Sequence, residues 1–179
     1  MRIWAIVLLG ACGGAHHPLV ASCPASVPAE LVPPANQELS LVLEGRGVQH
    51  YECTGTTVFE WTLVAPKAEL FDGARKVGTH AFGPSWHHVD GSSVVGRKVA
   101  TATVDPKAIP WVLLDVASHG PDPGVLDDVT AIQRLDTTAG LPPTIACDAA
   151  HVGAKSDAPY TARYFFYRTS ERPNGRCGH

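Results

Sequence analysis

The residue types that could carry chemistry are concentrated in the stretch VGTHAFGPSWHHVDGSSVVG, which holds His80, Trp86, His87, His88 and Asp90. Imidazole and carboxylate groups are ligands for zinc and copper. A histidine close to an aspartate is also an arrangement that general acid–base catalysis uses. The stretch therefore raises a metal hypothesis and a catalytic hypothesis.

Strand geometry weakens the metal hypothesis. Consecutive side chains on a strand point to opposite faces, so His87 and His88 cannot both face one ion. His80, His87 and His88 remain only weak candidate ligands, and no metal or other cofactor is predicted. His80 itself is either a hydrogen-bonded structural histidine or a ligand-contacting group beside Trp86.

The residue opposite His80 depends on how the chain turns at Gly83-Pro84. With Gly83 and Pro84 as the central turn residues, His80 lies opposite His87. With the turn one residue later, His80 lies opposite Val89. A one-residue shift in register decides which side chains share a face, and the sequence leaves both alternatives open.

Asp115 is a second candidate catalytic carboxylate, besides Asp90. It lies in the apolar run IPWVLLDVA, on the same face as Trp111. An aspartate there must be paired or lie near solvent. Arg134, His80 and Arg163 are the partners predicted by residue type.

Three further polar residues interrupt apolar strand sequence: Gln49, Gln133 and Arg134. They could line a pocket, and facing solvent is equally natural for them. Together with His80 and Trp86 they form the predicted ligand-binding set.

The elements that position these residues are β-strands. TVFEWTLVAP and YTARYFFY alternate with a period of two, and the Asp72-Gly73 and Asp90-Gly91 pairs each predict a tight hairpin turn. DDVTAIQRL could be a strand or a short helix, and its β-branched residues favour a strand. No stretch shows a long helical period. The sequence therefore predicts an all-β fold: a single antiparallel β-sandwich or barrel with an up-and-down meander and at most one short helix.

The N-terminus predicts export. One arginine followed by IWAIVLLGA is typical of a signal peptide, and LGAC resembles the bacterial lipobox, whose cysteine is lipidated. We predict a lipoprotein signal peptide at 1–11, a lipidated Cys12 beginning a Pro/Gly-rich tether at 12–37, one β-domain at 38–170 and a tail at 171–179. The expected location is the bacterial cell envelope, on the outer membrane or on a periplasmic or cell-surface face.

Four cysteines remain after Cys12: Cys23, Cys53, Cys147 and Cys177. An even number in an exported chain predicts two disulfides, for which three pairings exist. Cys23 and Cys177 lie near opposite ends of the chain, whereas Cys53 and Cys147 lie in or beside strand-like sequence. We therefore favour Cys53–Cys147 and Cys23–Cys177.

Composition excludes some partners. The chain has 179 residues, 45% of them hydrophobic, which is enough for one domain with a core. The net charge is −3 and no basic stripe is present, so nucleic acid is not an expected partner. The only membrane contact predicted is the N-terminal lipid anchor.

An ordered series of short sequences resembles the secreted bacterial and fungal family DUF3455: GVQHYEC, LVAPKAELFD, VGTHAFGPSW, DGSSVVG, IPWVLL, IQRLDTTAGLPP and YTARYFFY. The resemblance runs from about Pro28 to Tyr167 and implies a one-domain exported protein with no established activity, so it carries over no catalytic residues. Some members are labelled malate-dehydrogenase-like. No G-x-G-x-x-G between a strand and a helix and no βαβ alternation support that label here.

Two main functions follow as expectations, with metal binding at the histidine-rich hairpin as a weaker third. The favoured one is a non-enzymatic, lipid-anchored β-domain that binds a small molecule or a glycan. The alternative is a hydrolase-type enzyme that uses His80 with Asp90 or Asp115. A cavity in which His80 meets an aspartate would favour the enzyme, and aromatic lining with His80 engaged by the backbone would favour the binding protein.

Overall fold

The computed structural model describes residues 23–24 and 26–171, and within them it contains eight β-strands and one short 3-10 turn, Ala29–Leu31. The strands are β1 (Gln37–Gly55), β2 (Phe59–Asp72), β3 (Arg75–Ala81), β4 (Ser85–His88), β5 (Ser93–Ala102), β6 (Trp111–His119), β7 (Val129–Ala139) and β8 (Lys155–Thr169). Each strand pairs antiparallel with the next, and β8 pairs with β1, so the sheet closes into a barrel. The all-β meander is confirmed, and DDVTAIQRL contributes to a strand.

The two predicted tight turns had different outcomes. The Asp72-Gly73 hairpin forms, with Gly73 and Ala74 as its turn residues and Gly73 at a φ of 60°. The Asp90-Gly91 pair instead lies in a longer loop between β4 and β5, so the tight turn predicted there is wrong. The Asp90 carboxylate accepts hydrogen bonds from the backbone N–H of Ser92 in this loop and from that of Val125 in the β6–β7 connection, which holds the chain in the longer path.

All eight strands contribute side chains to the interior of the barrel. Among the largest of them are Trp86 from β4 and Tyr164 and Phe166 from β8, all fully buried. Gly96 on β5 makes room for the indole, since a Cβ atom there would lie 3.0 Å from the Trp86 ring. The Trp86 ring packs edge-on against the rings of Tyr164 and Phe166, so aromatic side chains fill the interior beside this glycine.

A second apolar layer lies on the outer surface of the barrel. Phe165 and Tyr167 on β8 face outward and are nevertheless buried, because they pack in one cluster with Leu31 and with apolar side chains of β1, β6 and β7. Leu31 has no exposed surface. Part of the region predicted as a tether, 12–37, therefore packs on the barrel before β1 begins.

One of the two favoured disulfides is present. Cys53 on β1 is bonded to Cys147 in the loop between β7 and β8, with their Cα atoms 5.5 Å apart. The second favoured pair, Cys23–Cys177, includes a residue outside the described part of the chain. The predicted signal peptide and Cys12 also lie outside it. Among the described residues, no helix has the length and apolarity needed to cross a membrane.

Candidate functional site

A cavity of about 590 Å³ lies at the end of the barrel that carries the β3–β4 turn. Most of its lining is apolar and comes from β2, the β3–β4 turn, β4, β6 and the residue before β6: Leu63, Val64, Ala65, Pro66, Phe82, Pro84, Trp86, Pro110, Val112 and Leu114. Its polar side chains are Gln49, His80, Lys98, Thr101 and Arg134. Four of the five predicted ligand-binding residues are therefore brought together from four different strands.

The strand register at β3–β4 places His80 and Trp86 side by side. His80 lies directly opposite Trp86, and Ala81 lies opposite Ser85, so the turn has three residues with Gly83 at a φ of 81°. Both registers considered from the sequence, His80 opposite His87 or opposite Val89, are wrong. The left-handed conformation at Gly83 allows a turn one residue longer than the two-residue hairpin.

His80 is held in one orientation. Its side chain is 3% exposed, and its ring stacks on Trp86 with centroids 4.5 Å apart and planes 19° from parallel. Its Nδ1 atom lies 2.9 Å from the Ser85 carbonyl oxygen. A carbonyl oxygen can only accept, so Nδ1 carries the proton and Nε2 is left as an acceptor.

His80 is neutral at neutral pH. Burial lowers the pKa of the imidazole to about 4, the hydrogen bond to the Ser85 carbonyl raises it, and the charge of Arg134 lowers it further. The desolvation of the charged form is the largest of these effects. His80 therefore adds no positive charge to the cavity above about pH 5.

Three buried side-chain nitrogen atoms among the described residues have no hydrogen-bond partner in the protein. They are Gln49 Nε2, Trp86 Nε1 and Arg134 Nε. All three residues line the cavity. Buried polar atoms are nearly always paired, so three unpaired ones at a single cavity are an unusual concentration.

The charges around the cavity are all of one sign. Lys98 and Arg134 are cationic, and no aspartate or glutamate is among the described residues that line it. Arg134 Nη2 donates a hydrogen bond to the Pro110 carbonyl oxygen at 2.8 Å. No salt bridge joins Arg134 to any described carboxylate, so no described residue pairs with its charge.

Neither candidate aspartate is in the cavity. Asp90 lies beyond the opposite end of β4, where its carboxylate accepts hydrogen bonds from Ser92 and from the Val125 backbone N–H. Desolvation raises the pKa of the Asp90 carboxyl, but these hydrogen bonds and one from His88 outweigh it and hold the pKa below its usual range. Asp115 lies on the outer surface of β6, 3.3 Å from Arg97, rather than near Arg134, His80 or Arg163.

Gln133, His87 and His88 also lie outside the cavity. Gln133 faces the outer apolar layer, where Nε2 donates to the Leu31 carbonyl oxygen at 2.6 Å and Oε1 accepts from the Tyr167 hydroxyl at 2.7 Å. His87 is exposed, and His88 contacts Asp90 at 3.0 Å. Within the described part of the chain, no group of three or more His, Cys, Asp or Glu residues is arranged to hold a metal ion.

The sequence-based prediction missed the rim of the cavity. Leu63 and Val64 on β2 and Phe82 in the β3–β4 turn are 47%, 47% and 74% exposed, although all three are apolar. A register shift in the pairing of β1 with β2 leaves Val64 as an extra residue, a β-bulge. The sequence signal for this bulge is the adjacent apolar pair Leu63 and Val64 in an otherwise alternating strand.

The fold and site define a class: a closed eight-stranded meander barrel with an apolar cavity at one end. The family model for the protein of unknown function DUF3455 matches residues 33–168, and the chain belongs to that family. Neither the curated proteins nor the solved structures include a significant match to the chain.

Proposed function

We propose that this chain is a binding protein whose barrel-end cavity takes up a small organic molecule. The observation that carries the proposal is the coincidence of the three unpaired buried nitrogens with one cavity. Leaving a buried donor unpaired costs roughly 1–3 kcal/mol. A ligand with acceptor atoms would recover that free energy, which gives the cavity a specific affinity beyond apolar contact.

The size and lining of the cavity support a small-molecule site. Binding sites for organic ligands are concave, span roughly 300–1,000 Å³, and are mostly apolar with a few polar groups that orient the ligand. The cavity here has about 590 Å³ and five polar side chains among apolar ones. A glycan presents many hydroxyl groups, each needing a partner, so the apolar lining favours a less polar ligand.

Binding is favoured over catalysis because no carboxylate among the described residues lies beside His80. The Ser85 carbonyl oxygen orients its Nδ1, and both candidate aspartates make their hydrogen bonds or ion pairs elsewhere. A stacked, neutral imidazole in an apolar wall is suited to contacting a ligand. Nothing in the lining favours the hydrolase alternative over this role.

We further propose that the protein acts in the cell envelope, anchored by lipid at Cys12. The sequence before Cys12 supports export, and the Cys53–Cys147 disulfide is typical of an oxidising compartment. A Cys12→Ser variant expressed in bacteria should lose metabolic labelling by palmitate and leave the membrane fraction. Unchanged labelling would contradict the anchor without bearing on the cavity.

Thermal stabilisation of the purified protein tests the cavity proposal. The panel contains decyl alcohol, decanoate, 2-naphthalenemethanol, 2-naphthoate and, as a soluble glycan, chitotetraose. At a ligand concentration tenfold above Kd, binding adds about 1.4 kcal/mol and raises Tm by roughly 3–6 °C. We expect such a shift with at least one of the four apolar compounds.

A pair of variants ties the shift to the cavity. Thr101→Trp places an indole in the lining, whereas Thr79→Trp places one on the exposed face of β3. The shift should be lost in Thr101→Trp and kept in Thr79→Trp. An equal rise in Tm in both variants would overturn the proposal, and so would stabilisation by none of the four apolar compounds. Stabilisation by chitotetraose alone would replace the apolar ligand with a glycan.

A further inference from the structure

Resting on the proposed binding function, we propose that the ligand is an organic anion, with a carboxylate-type head at Arg134 and an apolar body along the rim. The charge of the lining and the chemistry of its unpaired atoms both support this ligand class.

Arg134 is a cation built into the barrel, and it has no counter-ion among the described residues. It lies on β7 with its guanidinium in the cavity lining, next along the strand to the outward-facing Gln133. One of its terminal nitrogens donates to the Pro110 carbonyl oxygen, and Nε has no partner within the part of the chain that the structure describes. A guanidinium offers five N–H groups in a planar fork that matches a carboxylate. The hydrogen bond to Pro110 fixes this fork in advance of ligand binding.

The two other unpaired atoms point to the same chemistry. The Trp86 indole N–H can only donate, and the Gln49 amide nitrogen donates as well. Both residues are buried, at 1% exposure, and both line the cavity. Three donors without acceptors match a group that is rich in acceptors, as an ionised carboxylate is.

The field of Arg134 extends through this end of the barrel. Burial raises the pKa values of Tyr51, Tyr160 and Tyr164, and the positive charge of Arg134 acts against that rise in all three. Lys98 adds a second positive charge to the lining, and His80 contributes none. An anion would therefore enter a region of positive potential enclosed by apolar walls, where charge interactions are stronger than in water.

The apolar rim indicates the chemistry of the rest of the ligand. Leu63, Val64 and Phe82 are partly or largely exposed at the mouth and would be covered by an alkyl or aromatic body. A free inorganic anion would leave that surface exposed. The ligand class is consequently an amphiphile, such as an alkyl or aryl carboxylic acid.

The test compares matched ligands that differ only in the head group. Isothermal titration calorimetry measures the Kd of decanoate against decyl alcohol and of 2-naphthoate against 2-naphthalenemethanol. We expect the purified protein to bind at least one acid about tenfold to a hundredfold more tightly than its alcohol, as loss of a charge-assisted hydrogen bond implies. Added salt should weaken binding of the acid and leave the alcohol unchanged.

Variants then assign the preference to Arg134. Arg134→Gln should remove most of the preference for the acid, and Arg134→Lys should keep part of it because the charge remains. Arg163→Gln removes an exposed arginine on the outer face of the barrel, paired with Asp136, and should have no effect. Circular dichroism verifies that each variant is folded.

The outcomes separate this inference from the proposed binding function. Alcohols that bind the wild-type protein as tightly as the acids would overturn the anion inference and leave the binding function standing. An unchanged preference in Arg134→Gln would also overturn it. Binding by neither acids nor alcohols would instead be the failure of the proposed function. If Arg134→Gln does not fold, the acid-to-alcohol ratio and its salt dependence in the wild-type protein still decide.

Discussion

Replacing His80 with asparagine should make the stability of the barrel less sensitive to acid. Asparagine keeps an N–H donor near the position of Nδ1, where the Ser85 carbonyl oxygen accepts, but it cannot gain a proton. It also removes the ring that stacks on Trp86. The lost stacking changes stability by an amount that does not depend on pH, so the pH-dependent part of the difference belongs to the imidazole.

The size of the effect follows from the pKa. Burial lowers the pKa of His80 from 6.5 to about 4 in the folded protein. Because the folded state binds this proton more weakly than the unfolded chain, the stabilising contribution is complete above about pH 6.5 and is lost as the pH falls towards 4. A difference of about 2.5 pKa units corresponds to about 3 kcal/mol.

Chemical denaturation at several pH values measures this difference. The free energy of unfolding is determined for the wild-type protein, for His80→Asn and for Thr79→Asn, which changes the exposed neighbour on β3. Between pH 7.5 and pH 3.5 the wild-type protein and Thr79→Asn should each lose about 3 kcal/mol more than His80→Asn does.

Two results would refute the reasoning. One is a difference between wild type and His80→Asn that stays constant over the whole pH range. The other is an NMR titration in which the ring of His80 has its midpoint near pH 6.5. Either would mean that the imidazole is hydrated in the folded protein, and its burial between Trp86 and Tyr164 would then have no energetic consequence.

Three further substitutions test other parts of the structure, each by chemical denaturation at neutral pH. Replacing both Cys53 and Cys147 with alanine opens a loop of 94 residues and should lower the free energy of unfolding by about 4 kcal/mol, and a loss below about 1 kcal/mol would contradict this. Gln133→Met leaves the Leu31 carbonyl oxygen unpaired and should cost about 2 kcal/mol without altering ligand affinity. Asp90→Ala removes the acceptor of three loop donors and should cost about 2 kcal/mol, whereas an unchanged stability would show that these hydrogen bonds contribute nothing net.

Much of the fold was predictable because its signals are local. Period-two alternation and β-branched residues indicate strands, and the Asp72-Gly73 pair marks a hairpin within a few residues. No local signal decides between a sandwich and a barrel. The difference depends on whether β8 pairs with β1, two strands separated by almost the whole domain.

The candidate site was predicted in part. The histidine-rich stretch predicts His80 and Trp86, and polar interruptions of strand sequence predict Gln49 and Arg134; all four line the cavity. Gln133 was chosen on the same grounds and lies on the other side of the sheet wall. Asp90 and Asp115 were chosen for their chemistry alone, and the loop and the outer face of β6 hold them away from the cavity.

The sequence by itself determined that this protein is an antiparallel meander and that His80 and Trp86 lie near one turn. Only the tertiary structure decided which faces point inward. Gln133 and Arg134 are adjacent, and the pleat of a strand sends them to opposite sides, so a shift of one residue in register would exchange their roles. Closure of the barrel brings Arg134 from β7 and Gln49 from β1 to the same cavity. Nothing in the sequence of either strand indicates that they lie close together, because the two are far apart along the chain.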